Sequence, residues 1–166
     1  MKSVPSIQVP DLQAGDVLLY GGTDLISRLI QFRTWDDVCH IEVYFGAGRS
    51  WASRNGIGVN VYPLRTTGLR YVLRPKGQLD WENAVQWFAT VRGTPYGWGD
   101  LGRFYMLDIP TKGLICSQFG SELFRAFNYP LFAGHYPAGD ESPRDYKITP
   151  LLKQVWSYQD LTTKNQ

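Results

Sequence analysis

Between Val38 and Phe45, in VCHIEVYF, the side chains divide by simple alternation. Cys39, Ile41, Val43 and Phe45 share one face; Val38, His40, Glu42 and Tyr44 share the other. That period of two predicts a β-strand, and GAG after Phe45 ends it in a turn. An apolar run, DVLLY (16–20), predicts a buried strand further upstream. RSWAS, GVNVYPL and RYVLRP read as three more strands, separated by glycine-containing stretches and RTTG, which suits an antiparallel meander.

Elsewhere the period changes to that of a helix. Thr23 or Asp24 can cap a helix running to Phe32, with Leu25, Ile26, Leu29 and Ile30 apolar. Asp80 can cap another, with Trp81, Ala84, Val85, Phe88 and Val91 as its stripe and Gly93 as its stop. In KGLICSQFGSELFRAF, Cys116, Phe119, Leu123, Phe124 and Phe127 keep helical spacing, which places Cys116 in a first turn. Thr149 and Pro150 predict the start of a short final helix with Leu151, Leu152, Val155 and Trp156. Residues 1–14 read as an irregular lead-in, and NYPLFAGHYPAGDESPRDYK as a long turn-rich loop. The sum is one α+β domain spanning residues 1–166, helices packed on an antiparallel sheet.

Composition narrows the classes of function. A net charge of +2 without a Lys/Arg cluster argues against non-specific nucleic-acid binding. No run has the length of a membrane span. MKSVPSIQVPDLQAGD carries one lysine and no apolar stretch, unlike a secretory signal. The expectation is a protein that is cytoplasmic as synthesised, a description also compatible with a phage product or another export route. Two cysteines make no disulfide framework, and neighbouring Cys39 and His40 point to opposite strand faces, so no metal or other cofactor is expected.

The chemistry lies in a few side chains. At a helix start, free N–H groups and the macrodipole favour an anion, so Cys116 there is either a buried small hydrophobe or a stabilised thiolate. His40 and Glu42 share a strand face, where a carboxylate can orient an imidazole. Cysteine and histidine together are the pair a cysteine hydrolase needs. Tyr96, in the Gly/Pro loop GTPYGWG, can donate to an oxyanion or simply pack. Cys39 belongs to the apolar face, His135 to a loop, and nothing in spacing selects Asp100, Asp108 or Glu122.

These stretches resemble a known family. GTPYGWGD followed by GLICSQFGSELFRAF resembles the segment of NlpC-type cysteine peptidases in which Cys-Ser opens a long helix, and CHIEVYFGAGRSWAS resembles their histidine strand. Here His40 precedes Cys116, the order of the circularly permuted branch of that papain-like fold, which includes YiiX-like proteins and the lecithin retinol acyltransferase group. AGDVLLYGGTDLISRLIQF resembles the opening of that branch, so the likeness covers roughly residues 14–130.

The resemblance implies a permuted papain-like fold, with Cys116 as nucleophile, His40 as general base and Tyr96 as oxyanion helper. It also marks two departures. The family's Asp before the cysteine is Ile115 here, and its third polar residue, about a dozen positions after the histidine, falls among Trp51, Ala52 and Ser53. Glu42 is the substitute, with Ser53 as runner-up. The implied activity is an amidase or peptidase acting on small peptide, amide or acyl substrates, cell-wall peptides among them. Trp51, Ser53, Trp98 and Tyr105 are the expected substrate-binding residues. A lipid acyl hydrolase or acyltransferase, an inactive binding module using the same groove, and a structural component with an aromatic interface are the alternatives.

Overall fold

The alternation in VCHIEVYF forms strand β2, His40–Gly46, at the heart of a six-stranded sheet. A computed structural model of the chain describes residues 11–22, 36–97, 113–132 and 141–158. Beside β2 lie β1 (Val17–Tyr20), β3 (Arg49–Arg54), β4 (Gly58–Pro63), β5 (Leu69–Pro75) and β6 (Leu152–Ser157). Their order across the sheet is β4-β3-β2-β1-β5-β6, and each neighbouring pair is antiparallel. The expected meander is present as β2, β3 and β4. Its first turn carries positive φ at Gly46, Ala47 and Gly48, and glycine takes two of those three places at no steric cost.

Strand β1 sits centrally between β2 and β5, and all four of its residues are buried. Val17 and Leu19 join the main core with Ile41, Val43, Trp51 and Phe119. Leu18 and Tyr20 join a smaller core on the opposite face with Leu69, Val72 and Trp156. Burial on both faces explains why DVLLY is a continuous apolar run rather than an alternating one.

Helix α1 (Trp81–Val91) starts where Asp80 accepts a hydrogen bond from the Asn83 N–H at 3.1 Å. Helix α2 (Cys116–Ala126) lays Phe119, Leu123 and Phe124 on the main core. Its close approach to β2 depends on Gly120, because a Cβ there would run into Ile41 Cδ1 and sit 2.6 Å from the Tyr146 hydroxyl. Gly120→Ala should therefore lower stability by about 1–3 kcal/mol by overpacking, despite alanine's better helix propensity. Thermal unfolding checks this, and an unchanged or raised Tm would show that α2 can move away from the sheet.

Two expectations about the C-terminal third are corrected. Thr149 and Pro150 do not begin a helix; Leu152–Ser157 is strand β6, paired with the free edge of β5. A register shift between Val72 and Leu73 lets Leu152 enter the main core and Trp156 the second core. Their spacing therefore imitated a helix. The turn-rich loop, in turn, contains a short helix, α3 (Pro143–Ile148). Asp145 Oδ2 accepts from the Ser142 N–H at 2.7 Å and the Ser142 hydroxyl at 2.8 Å, and Pro143 fits the first turn. The helix expected from residue 23 or 24 to 32 lies outside the described residues, as does most of the lead-in.

Candidate active site

His40 is the first residue of β2 and pairs across the sheet with Tyr20 of β1. Alternation sends Ile41 and Val43 toward α2, and Glu42 toward the opposite face. The His40 ring, at the strand end, touches both sides. Its Nε2 lies 3.2 Å from Glu42 Oε1, and the ring also hydrogen-bonds the Cys116 thiol.

Cys116 heads α2, as its spacing predicts, and is 4% exposed. Burial alone would push its thiol up, but the positive charge and hydrogen bond of His40 outweigh burial, helped by the backbone N–H groups of Ile41 and Ser117. The thiol is therefore held below its ordinary range. His40 responds in the opposite sense. Burial would lower it, yet the Cys116 thiolate, then Cys116 and Glu42 hydrogen bonds, push it up to about 9. Shifts in those opposite senses favour the thiolate–imidazolium form of the pair over the neutral one.

Several contacts fix the nucleophile's position. The Ser53 hydroxyl donates to the Leu114 carbonyl at 2.5 Å, two residues before the cysteine. Ile115 supplies no side-chain cap, and Gln118 Oε1 accepts the Ile115 N–H at 3.2 Å instead. The first-turn N–H of Ser117 reaches the sulfur, as expected of a free donor at a helix start. Tyr146 of α3, fully buried, donates to the Ser117 carbonyl at 2.6 Å. Lys147 beside it holds Asp36 at 2.8 Å and Asp37 at 3.2 Å, just upstream of the histidine strand. Helix α3 thus ties the cysteine helix to the lead-in of β2.

Glu42 is fully buried and carries the most partners. Arg54 donates from Nε to Oε1 and from Nη2 to Oε2, both at 2.9 Å; Ser50 donates to Oε2; and Arg65 Nε lies 3.4 Å from Oε1. Burial would raise its carboxyl, but hydrogen bonds from His40 and Arg54 dominate and bring it to about 2. Ser50 and Arg54 share a face of β3, with Ala52 between them, and that small side chain leaves both free to converge on the carboxylate.

The structure sorts the remaining expected residues. Tyr96 is close enough to Cys116 and Cys39 that their negative charges, after burial, raise its hydroxyl well above the usual range. It stays a neutral donor near the sulfur. Trp51 does not line a groove. It is 3% exposed, stacked on Phe88 at 4.3 Å and on Phe45 at 4.7 Å between ring centroids. Large aromatic area drives it into the core, which corrects the expected substrate role. Ser53 likewise is buried, with its hydroxyl given to Leu114. Trp98, Tyr105, Asp100, Asp108 and His135 lie outside the described residues. Cys39 is buried with Sγ 3.4 Å from the Tyr20 carbonyl, and Glu122 lies 3.9 Å from Arg125 Nε. Arg54, Arg65, Ser50 and Tyr146 were not singled out in the sequence. The alternation of Ser50 and Arg54 was a visible signal, but the strand pairing that aims it at Glu42 was not.

Among the described residues, no group of three or more His, Cys, Asp or Glu is arranged to hold a metal ion. No helix there is long and apolar enough to cross a membrane.

Fold and site together define an α+β protein with a buried Cys–His–Glu arrangement at a strand end. No protein-family model matches the chain, and no curated protein matches it. A solved structure does: the crystal structure of YiiX from Escherichia coli O157:H7, described as a metalloprotein, superposes with a TM-score of 0.62 at 16% identity. The match covers 87% of this chain and 97% of that one. At that identity the likeness is one of fold.

Proposed function

We propose that the protein is a cysteine hydrolase of the permuted NlpC-like type, acting on amide or peptide bonds, with cell-wall peptides as the favoured substrate class. The reading rests on one observation: the thiol that opens α2 and the imidazole that opens β2 are in contact, with proton affinities shifted in opposite senses. The order of motifs in the chain supports it independently.

Each residue then has a role. The Cys116 thiolate attacks the carbonyl carbon, forming a C–S bond while the carbonyl electron pair moves to oxygen. The Cys116 backbone N–H and the Tyr96 hydroxyl donate to that oxyanion. His40 gives its proton to the departing nitrogen as the C–N bond breaks, leaving a thioester. Water, losing a proton to His40, attacks the thioester carbon, and the acid leaves as thiolate and imidazolium are restored. Glu42, ionised down to about pH 2, orients the ring through Nε2 and favours its charged form. Arg54 holds the carboxylate in place for that task.

The test is the pH dependence of Cys116 carboxamidomethylation by iodoacetamide, followed by peptide mass spectrometry. Half-maximal rate should fall well below the ordinary thiol value of about 8.5. On peptide or amide substrates, turnover should decline as pH rises through about 9, where His40 loses the proton needed by the leaving group. An ordinary thiol titration would remove the hydrolase reading and leave a binding module.

A further inference from the structure

Ser53 stands where the family resemblance puts a polar partner for the histidine, yet its one O–H proton goes to the Leu114 carbonyl at 2.5 Å. The residue is fully buried, on the face of β3 that carries Trp51 into the main core. The Leu114 backbone is held elsewhere as well. Its N–H donates to the Pro95 carbonyl at 3.1 Å, and the next N–H, that of Ile115, goes to Gln118 Oε1 at 3.2 Å. Pro95 precedes Tyr96, and Ile115 precedes Cys116. One residue therefore joins the strand to both segments that carry oxyanion donors.

Those segments run close together. A Cβ on Gly113 would sit 2.6 Å from the Gly97 nitrogen and 2.8 Å from the Pro95 oxygen. The same strand pair anchors the Tyr96 loop further upstream. Val59, the partner of Ser53 in the β3–β4 register, donates its N–H to the Thr94 carbonyl at 2.9 Å and accepts from the Gly93 N–H at 2.8 Å. The Cys116 sulfur, by contrast, is held by His40 and by the N–H groups of Ile41 and Ser117, and none of these contacts passes through Ser53.

We propose that Ser53 is a positioning residue for acyl transfer: by holding the Leu114 carbonyl it sets the spacing between the Cys116 N–H and the Tyr96 hydroxyl, the two donors to the oxyanion. The inference rests on the hydrolase reading of Cys116 and deepens it. Without the Ser53 hydroxyl the Leu114 carbonyl loses its buried partner, so that peptide can turn and draw Pro95 with it. An oxyanion hole depends on donors fixed before the charge develops, and a small displacement weakens it.

Two reagents separate the oxyanion from the thiol. p-Nitrophenyl acetate acylates Cys116 through a tetrahedral oxyanion: sulfur attacks the acetyl carbon, a C–S bond forms, and the C–O bond breaks to release p-nitrophenolate, which needs no proton. Iodoacetamide alkylates the same sulfur by displacing iodide from a saturated carbon, with no oxyanion. The ratio of the two rates at neutral pH, each corrected with a Cys116→Ala blank, reads the donors. Ser53→Ala should lower that ratio about tenfold, short of the roughly hundredfold cost of deleting a donor, while the iodoacetamide rate and its pH midpoint stay near those of the parent protein. Tyr96→Phe should lower the ratio at least as far. In the Tyr96→Phe background, Ser53→Ala should change it by about twofold or less, because the donor it positions is already gone. The proposal is overturned if Ser53→Ala leaves the ratio unchanged, if it slows both reagents equally, as a merely structural role would, or if its effect is the same with and without the Tyr96 hydroxyl. A Tyr96→Phe ratio equal to the parent's would overturn it together with the oxyanion role of Tyr96. An ordinary thiol titration in the parent protein, with the Ser53→Ala deficit still running through Tyr96, would sink the hydrolase reading and leave the positioning intact.

Discussion

Replacing His40 with alanine should slow alkylation of Cys116 at pH 6 by about a hundredfold. An unassisted thiol of pKa about 8.5 is only about 0.3% ionised at that pH, whereas a thiolate paired with an imidazolium is largely ionised. Burial makes the loss more severe, because it disfavours the thiolate once the positive charge is gone. The sign follows from the direction of the shift. The folded thiol is held low, so its advantage is greatest at acidic and neutral pH and fades as pH rises past the ordinary thiol range. Rates of the parent protein and His40→Ala should therefore converge near pH 10. The check is a pair of rate–pH curves for Cys116 labelling, with buried Cys39 as an internal reference. Superimposable curves would mean that the ring does not act on the sulfur.

Glu42→Gln should cost about 3 kcal/mol at pH 7, the low end for breaking a buried ion pair. Glutamine keeps the shape but leaves the guanidinium of Arg54, 23% exposed, without its counter-charge. The pH dependence gives the expectation a second signature. The Glu42 carboxyl is depressed from 4.5 to about 2, so the stabilisation it supplies is complete above 4.5 and is lost as pH falls toward 2. The gap in urea midpoint between the parent protein and Glu42→Gln should be wide at pH 7 and shrink between pH 4.5 and 2. His40 should also drop from about 9 toward its ordinary value, so that fewer molecules hold the thiolate–imidazolium form at neutral pH. A constant gap across that range would assign the loss to packing rather than charge.

The strand VCHIEVYF and the helix beginning at Cys116 were legible because each has a solvent or core face that its own period reveals. The same reasoning misread LLKQVWS. Leu152, Val155 and Trp156 have helical spacing, yet a register irregularity in the β5–β6 pairing places Leu152 and Trp156 in cores on opposite faces of the sheet. Ser142-Pro143-Arg144-Asp145 contained a helix start, but the glycines and prolines before it masked the cue. Trp51 looked like a groove residue because aromatic side chains serve both cores and binding sites. Only the stack of Phe45 and Phe88 around it decides between them.

For the site, the division has the same cause. Local spacing by itself determined that Cys116 would open a helix, that His40 and Glu42 would share a strand face, and that Asp80 would cap a helix, because each depends on residues within one or two turns. Whether sulfur meets imidazole depends on segments 76 positions apart in the numbering, Cys116 and His40, and no local period encodes that. The tertiary structure alone decided that α2 approaches β2 at Gly120, that Tyr146 and Lys147 tie the two together, and that Arg54 and Arg65 converge on Glu42. Those are long-range contacts, selected by how whole faces pack and how strands pair, and charge gathers at Glu42 because folding brings it there.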